Sequence, residues 1–269
     1  MQQNLSENVA EVSNDAVRPD QILELILPEP DELRARTVVS RSKARGTGKY
    51  PSWKNGRMLE WESPHELNAF RLLDVDPSVT RFNEQPLVIK YLQDDEERLH
   101  VPDIKVVRGA RKELWEVKTL RDAQDEKVVR RTHLMTAGLR TYGYTYRVVI
   151  AEDPAAKPRM NNALTVLKFG RAEIPLVDRE RLRRTLTNCG CLTWGAVVAG
   201  DLGPRGRQYI CRLILEGGLQ FDMDRCLNST TAISVLPLAA SRDPAPGAPA
   251  ATPGESGESC ELAMSGEEV

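Results

Sequence analysis

The stretch that decides the fold of this chain is LHVPDIKVVRGARKELWEVKTL, residues 99–120. It predicts two short strands joined by a turn, in which Gly109 supplies the backbone freedom that a tight reversal needs. Residues two apart on a strand point to the same face, so Glu116 and Lys118 should lie side by side on the second strand. An antiparallel return would place Asp103, on the first strand, opposite this pair.

Two carboxylates beside one ammonium group suit metal-assisted cleavage of a phosphodiester. Carboxylate oxygens bind hard divalent cations such as Mg²⁺ or Mn²⁺, and a lysine can stabilise negative charge or position the attacking water. The order Pro102-Asp103, a short gap and then Glu116-x-Lys118 resembles the signature of the PD-(D/E)xK nucleases. DNA cleavage is therefore the leading interpretation. The alternative is a charged, exposed hairpin whose glutamate and lysine form a surface ion pair of little energetic value.

The segment that precedes this hairpin, residues 62–91, carries a longer pattern. A helix with Glu66 is followed by Leu72-Leu73, Asp76-Pro77-x-Val79 and Glu84-Gln85-Pro86 before a strand. From here through the hairpin to a strand at residues 145–151, order and spacing resemble the catalytic domain of TnsA-type endonucleases, the nuclease subunits of heteromeric cut-and-paste transposases. The resemblance implies an α/β fold, with a restriction-endonuclease-like mixed sheet and flanking helices, followed by a winged-helix-like domain.

The resemblance also implies which groups bind the cation. Glu66 would join Asp103 and Glu116 as a ligand of Mg²⁺ or Mn²⁺. The backbone carbonyl of Val117 would be a further ligand. Lys118 would complete the catalytic set of Glu66, Asp103, Glu116 and Lys118.

Two polar motifs near this set have structural explanations as well. Ser63-x-x-Glu66 is a capping box, in which the serine caps the helix and the glutamate returns to the serine N–H. The resemblance favours catalysis for Glu66, with the capping serine retained. Glu84-Gln85-Pro86 is interpreted as structural, because a polar pair before a proline begins a strand or an edge and needs no ligand.

The resemblance implies a role within a larger machine. The TnsA-type subunit cuts the 5′ ends of a mobile element during excision, an integrase-like transposase subunit cuts and joins the 3′ ends, and a regulator ATPase completes the assembly. Double-stranded DNA at transposon ends and those two proteins are thus the expected partners. The expected location is the bacterial cytoplasm, at the nucleoid when active. A stand-alone PD-(D/E)xK restriction or repair nuclease and a catalytically silent recruitment subunit remain as alternatives.

Composition agrees with a soluble intracellular chain of one or two domains. The 269 residues can bury a sizeable core, and no apolar run approaches the length of a membrane span. Five cysteines without a CxxC pair and three scattered histidines imply neither disulfides nor zinc. No GxxxxGK[ST] phosphate loop is present, so we do not expect ATP hydrolysis.

Positive charge is concentrated in residues 33–57, which hold eight basic residues and no acid. Residues 1–241 as a whole have 36 bases and 33 acids, a net charge of +3. The basic segment, interleaved with glycines, predicts a flexible arm in which Arg41, Lys43 and Arg45 bind DNA phosphates without sequence preference. A solvated loop is the alternative.

A second basic segment follows the Glu116-x-Lys118 strand. Residues 122–142 predict one helix that ends near Gly143. Lys127, Arg130 and Arg131 on this helix could follow a phosphate backbone, and a solvated outer face is the equal alternative.

The second half of the chain predicts three short helices and a hairpin, the layout of a winged helix-turn-helix. The helices are expected at residues 178–187, 193–202 and 205–216, and the hairpin at residues 219–223 and 232–236. A DNA-binding role would use Arg205, Arg207 and Arg212 on or before the third helix. The third helix is otherwise heavily apolar, and acidic residues lie on the hairpin, which favours docking of a partner protein over base reading. The apolar residues are Cys211, Leu213, Ile214 and Leu215, and the acidic ones are Asp222 and Asp224.

The predicted organisation therefore has four parts. Residues 1–32 are a polar N-terminal segment, and residues 33–172 are the nuclease domain with its basic arm. Residues 173–240 are the winged-helix-like domain. Residues 241–269 are an acidic tail, predicted to be disordered because it has too few apolar residues to pack.

Overall fold

The computed structural model describes residues 19–29, 34–35, 46–189 and 192–235. The predicted acidic tail, together with Arg41, Lys43 and Arg45 of the predicted arm, lies outside these residues. Within them the chain is mixed α/β, with several small sheets and helices packed against them.

The helices and strands of the described residues follow in chain order. The strands are β1 (Gln21–Ile26), β2 (Gly48–Ser52), β3 (Arg57–Trp61), β4 (Arg81–Glu84), β5 (Val88–Gln93), β6 (Glu96–His100), β7 (Ile104–Arg108), β8 (Arg111–Lys118), β9 (Thr145–Ile150), β10 (Leu192–Thr193), β11 (Leu219–Gln220) and β12 (Ala232–Val235). The helices are α1 (Pro64–Val75), α2 (Leu120–Ala123), α3 (Glu126–Gly138), α4 (Glu152–Ala155), α5 (Arg159–Phe169), α6 (Leu176–Cys189), α7 (Trp194–Ala199) and α8 (Gly206–Leu215). None of the helices in the described ranges is long and apolar enough to span a membrane.

The predicted hairpin is confirmed, and it lies at the centre of a sheet with the order β4-β7-β8-β9. β7 and β8 pair antiparallel through a two-residue turn that begins at Gly109, whose φ of +55° is in the left-handed region. β9 lies parallel to β8. Asp103 comes one residue before β7 rather than on it, so it ends the preceding loop.

The two faces of this sheet pack against different helices, because successive side chains of β8 alternate. Val117 belongs to a core cluster with Phe70 of α1. Leu114 belongs to another cluster, with Met135 of α3. Glu116 and Lys118 have the same parity as Leu114, so they lie on the α3 face, side by side as their spacing predicts.

A second sheet has the order β1-β5-β6. Its β1 strand pairs antiparallel with β5, although the sequence predicted a polar segment outside the nuclease domain at residues 1–32. Ile22 and Leu25 of β1 pack on the core cluster that includes Met135. Residues 21–26 therefore pack with the first half of the protein.

The prediction of a flexible arm is wrong for residues 46–57, where β2 and β3 pair as a hairpin. This hairpin is tied to α1 by Asp74, whose side chain is fully buried. Asp74 accepts hydrogen bonds from the Tyr50 and Ser52 hydroxyls and from the backbone N–H groups of Trp53 and Lys54, at 2.7 to 3.2 Å. A buried carboxylate with this many donors fixes the hairpin in place.

The described basic residues of this segment are also used inside the fold. Arg34 pairs with Glu60 at 2.7 Å. Arg57 pairs with the buried Glu84 through two hydrogen bonds of 2.9 and 2.7 Å. The Lys54 amine donates to backbone carbonyls at the end of α1. These cations therefore bind carboxylates and carbonyls of the protein itself. Glu84 is buried and paired with Arg57, a structural role as its motif predicted.

The single helix predicted at residues 122–142 is interrupted. α2 ends at Ala123, and Asp125 begins α3 by accepting hydrogen bonds from the N–H groups of Lys127 and Val128. α3 then continues into a 3-10 turn that ends at Gly143, where φ is +76°. The aspartate cap competes with continuous helix, and a sequence pattern based on apolar spacing does not detect it.

The second half forms the predicted helices, and β12 pairs with both β10 and β11. The apolar face of α8 lies in one core cluster with residues of α5 and α1, among them Ile210, Cys211 and Ile214 of α8, Val166 of α5 and Val75 of α1. The apolar stretch that favoured a docking role is therefore covered by this chain's own helices. The two halves of the protein share a core.

Charged side chains of the second half are engaged within the chain as well. The guanidinium of Arg207 lies over the Phe169 ring at 5.0 Å, and that of Arg212 lies over the Trp53 ring at 5.3 Å. Asp224 pairs with an arginine of α5 at 2.6 Å. Two of the three arginines considered for base reading thus support packing between the two halves.

Candidate active site

Asp103 is positioned by the hairpin itself. The register of β7 on β8 places Asp103 beside Glu116, and the Asp103 Oδ2 atom accepts a hydrogen bond of 2.7 Å from the backbone N–H of Val117. The Asp103 carbonyl accepts another, of 2.9 Å, from the backbone N–H of Gln85. The carboxylate is therefore oriented by β8 before any ligand binds.

Glu116 lies at the centre of the site and is only 4% exposed. Its Oε1 atom is 2.7 Å from the Lys118 amine and 3.1 Å from the Nη2 atom of Arg131 on α3. Its Oε2 atom is buried and has no hydrogen-bond partner. A carboxylate oxygen that is buried without a hydrogen-bond partner is costly, so this oxygen is a candidate ligand atom.

Two residues that the sequence did not single out form the wall behind Glu116. The His100 Nε2 atom lies 3.5 Å from Glu116 Oε2 and 2.9 Å from the Tyr146 hydroxyl. Burial lowers the pKa of His100 to about 3, with the Arg131 and Lys118 charges adding to the effect, so this histidine is neutral. The sequence offered one hint to each of these two residues. His100 stands just before the Pro102-Asp103 motif, and Tyr146 lies on the strand predicted at residues 145–151.

Glu66 lies in the first turn of α1 and serves the helix N-terminus. Ser63 caps the helix by accepting the Glu66 N–H at 3.2 Å. The Glu66 carboxylate accepts the Glu62 N–H and the Ser63 hydroxyl, each at 2.9 Å. The glutamate thus returns to the backbone one residue earlier than a standard capping box predicts.

The charges of Glu116 and Glu66 act on the third acid of the site, Asp103. Burial raises the pKa of Asp103 well above its ordinary range, and the nearby Glu116 and Glu66 carboxylates raise it further. Burial also raises the pKa of Glu66, which Lys118 opposes. Burial lowers the pKa of Lys118, but the Glu116 and Asp103 carboxylates outweigh burial and leave this pKa raised. Carboxylates that repel one another in this way are common where a cation or a proton binds.

The donor set fits a hard divalent cation in part. Asp103 offers a carboxylate with one anchored oxygen, and Glu116 offers an unpaired one. Both oxygens of Glu66 already accept hydrogen bonds, although a carboxylate oxygen has a second lone pair. In the described part of the chain, no group of three or more His, Cys, Asp or Glu side chains is close enough to hold a metal ion as the atoms stand. Cation binding by all three acids would therefore require side-chain movement.

The residues predicted to contact DNA lie in different surroundings. Lys127 is exposed on α3. Arg130 is exposed and pairs with Asp94 and, more distantly, with Asp20. Arg131 turns inward to Glu116. The helix predicted to present one basic face therefore divides its cations between the surface and the site.

In comparisons with known proteins, no family model and no curated protein matched this chain. The residues that the structure brings together are Asp103, Glu116 and Lys118, with Glu66 within electrostatic reach.

Proposed function

We propose that this protein is a metal-dependent DNA endonuclease, and specifically the nuclease subunit of a transposase of the TnsA type. The proposal includes a restriction-endonuclease-like nuclease domain and a winged-helix-like second domain. The observation that supports it most is the meeting of Asp103 with Glu116 and Lys118 at adjacent ends of two antiparallel strands. This is the geometry that the Asp, Glu-x-Lys spacing requires for phosphodiester hydrolysis.

Asp103 and Glu116 would hold the cation, with Glu66 and the Val117 carbonyl as further ligands. A bound Mg²⁺ or Mn²⁺ ion would supply Lewis-acid stabilisation of the phosphate and a lowered pKa for an attacking water. The hydrogen bond from the Val117 N–H orients the Asp103 carboxylate for this purpose. Burial of Glu116 excludes bulk water from one side of the site.

Lys118 would act on the reacting phosphate. Its side chain is 29% exposed, and its amine is held near Asp103 and Glu116 by their charges. From there it can stabilise the charge that develops on the phosphate oxygens or orient the attacking water. Because its pKa is raised, it carries a positive charge at neutral pH and is more suited to charge stabilisation than to accepting a proton.

The place in a transposase is the part of the proposal that depends on the resemblance. Double-stranded DNA at transposon ends is the proposed substrate, cut at the 5′ ends, and an integrase-like subunit and a regulator ATPase are the proposed partners. The covered apolar face of α8 removes one reason to expect docking at that helix. The proposed location is the bacterial cytoplasm, at the nucleoid during transposition.

The test is a cleavage assay on DNA that carries transposon ends, with and without the two partner proteins. Cutting by the wild type should require Mg²⁺ or Mn²⁺, and Asp103→Asn and Glu116→Gln should each abolish it. Glu126→Gln, on the exposed first turn of α3, is the matched control and should cut normally. Normal cutting by Asp103→Asn would overturn the site. Efficient cutting of plain DNA without partners would favour a stand-alone nuclease instead.

A further inference from the structure

We propose that Arg131 is the built-in counter-ion of this site, which neutralises Glu116 until a divalent cation replaces it and then binds the DNA phosphate. The inference rests on the proposed function. It differs from the surface role that the sequence suggested for Arg131, because it assigns this arginine to the site itself and predicts that it opposes cation binding.

The first support is the geometry of the ion pair. The Arg131 Nη2 atom lies 3.1 Å from Glu116 Oε1, the oxygen that also meets the Lys118 amine at 2.7 Å. Two protein cations therefore share one carboxylate oxygen, while Glu116 Oε2 is buried without a hydrogen-bond partner. Arg131 and Lys118 thus both place positive charge on the carboxylate that is expected to bind the metal ion, and this charge opposes the approach of a further cation.

The second support is the incomplete bonding of Arg131. Its side chain is 23% exposed, and its Nε atom is buried without a hydrogen-bond partner. A guanidinium has five donors in a planar fork that matches carboxylates and phosphates. Arg131 is thus partly open to solvent, has one buried donor without an acceptor, and carries a group whose shape matches a phosphate.

The third support is the neighbouring residue on the same helix. Arg130 is exposed and pairs with Asp94, away from Glu116. α3 thus carries one arginine at the surface and the next inside the site. The pair offers a matched control in which charge, residue type and helix position are nearly the same.

Coulomb's law sets the size of the expected effect. A unit positive charge about 6 Å from a divalent cation weakens its binding about tenfold at the dielectric constant of water, and more in a less polar site. Loss of a side chain that only supports the fold would leave cation binding unchanged or weaken it. A gain of affinity therefore separates the counter-ion role from a structural one.

The experiment measures Mn²⁺ binding to the full chain by isothermal titration, without DNA. Arg131→Ala and Arg131→Gln should each bind Mn²⁺ about tenfold more tightly than the wild type. The Mn²⁺ affinity of Arg130→Ala should stay within about twofold of the wild-type value. Arg131→Lys keeps a positive charge, so its Mn²⁺ affinity should be close to that of the wild type. In the cleavage assay, Arg131→Ala should cut more slowly in spite of its tighter cation binding, because the phosphate loses its partner.

The outcomes separate this inference from the proposed function. Unchanged or weaker Mn²⁺ binding by Arg131→Ala and Arg131→Gln, with cation-dependent cutting by the wild type, would overturn the counter-ion role alone. A wild type that binds no Mn²⁺, with variants that bind none, would overturn both. Equal gains in Arg130→Ala and Arg131→Ala would attribute the effect to general surface charge and overturn the specific role of Arg131.

Discussion

Replacing Asp103 by asparagine should make the metal-free protein more stable while it abolishes cation binding. The asparagine Oδ1 atom can still accept the Val117 N–H that Asp103 accepts at 2.7 Å, so the local hydrogen bond survives. What disappears is a charge that burial disfavours and that the Glu116 and Glu66 carboxylates repel. An alanine would leave the Val117 N–H without its partner, so asparagine is the cleaner change.

The sign and size follow from the raised pKa of Asp103. Because its folded-state pKa is above the ordinary 3.8, the ionised form is disfavoured in the folded protein. Stability of the metal-free protein should therefore fall as pH rises from the ordinary value through the folded-state pKa, and Asp103→Asn should remove this loss. Each unit of the rise corresponds to about 1.4 kcal/mol, or about 3 °C in Tm for a chain of this size.

Adding Mg²⁺ should stabilise the wild type and leave Asp103→Asn unchanged. A ligand present at about one hundred times its Kd stabilises the state that binds it by about 2.7 kcal/mol, and only the wild type should gain this. The assay is thermal unfolding of the wild type, Asp103→Asn and the control Glu126→Gln at pH 5 and pH 8, with and without Mg²⁺. A lower Tm for metal-free Asp103→Asn at pH 8, or equal stabilisation of both proteins by Mg²⁺, would refute the reasoning.

Three further changes test other parts of the structure. Lys118→Ala should slow cleavage by about 10²–10³-fold in single-turnover kinetics, with little change in DNA affinity in equilibrium binding. A parallel fall in rate and affinity would instead show that the lysine anchors a phosphate. Asp74→Ala leaves four donors without their acceptor, so it should lower the free energy of unfolding by about 3–5 kcal/mol in chemical denaturation. A loss below about 1 kcal/mol would contradict the role of this network. Ile214→Ala should cost about 2–5 kcal/mol and lower the melting temperature of both halves in one transition, because α8 shares its core with α1 and α5; two separate transitions would show independent domains.

Much of the site could be predicted because it is local in sequence. Glu116 and Lys118 share a face through the two-residue period of a strand, and Gly109 marks the turn. That turn brings Asp103 beside Glu116 within a single hairpin. Strand and helix positions in the second half were also predicted from apolar spacing and from glycine and proline, since these signals act within a few residues.

What only the tertiary structure decided concerns groups that meet across long stretches of chain. The inward turn of Arg131, the wall formed by His100 and Tyr146, and the covered face of α8 depend on which surfaces pack together. The same holds for Arg57, which looked like part of a DNA-binding arm and instead pairs with Glu84. The sequence around a charged residue does not show whether its partner is a DNA phosphate or a buried carboxylate. The difference arises because burial makes an unpaired charge expensive, and only the packed fold determines which partner is within reach.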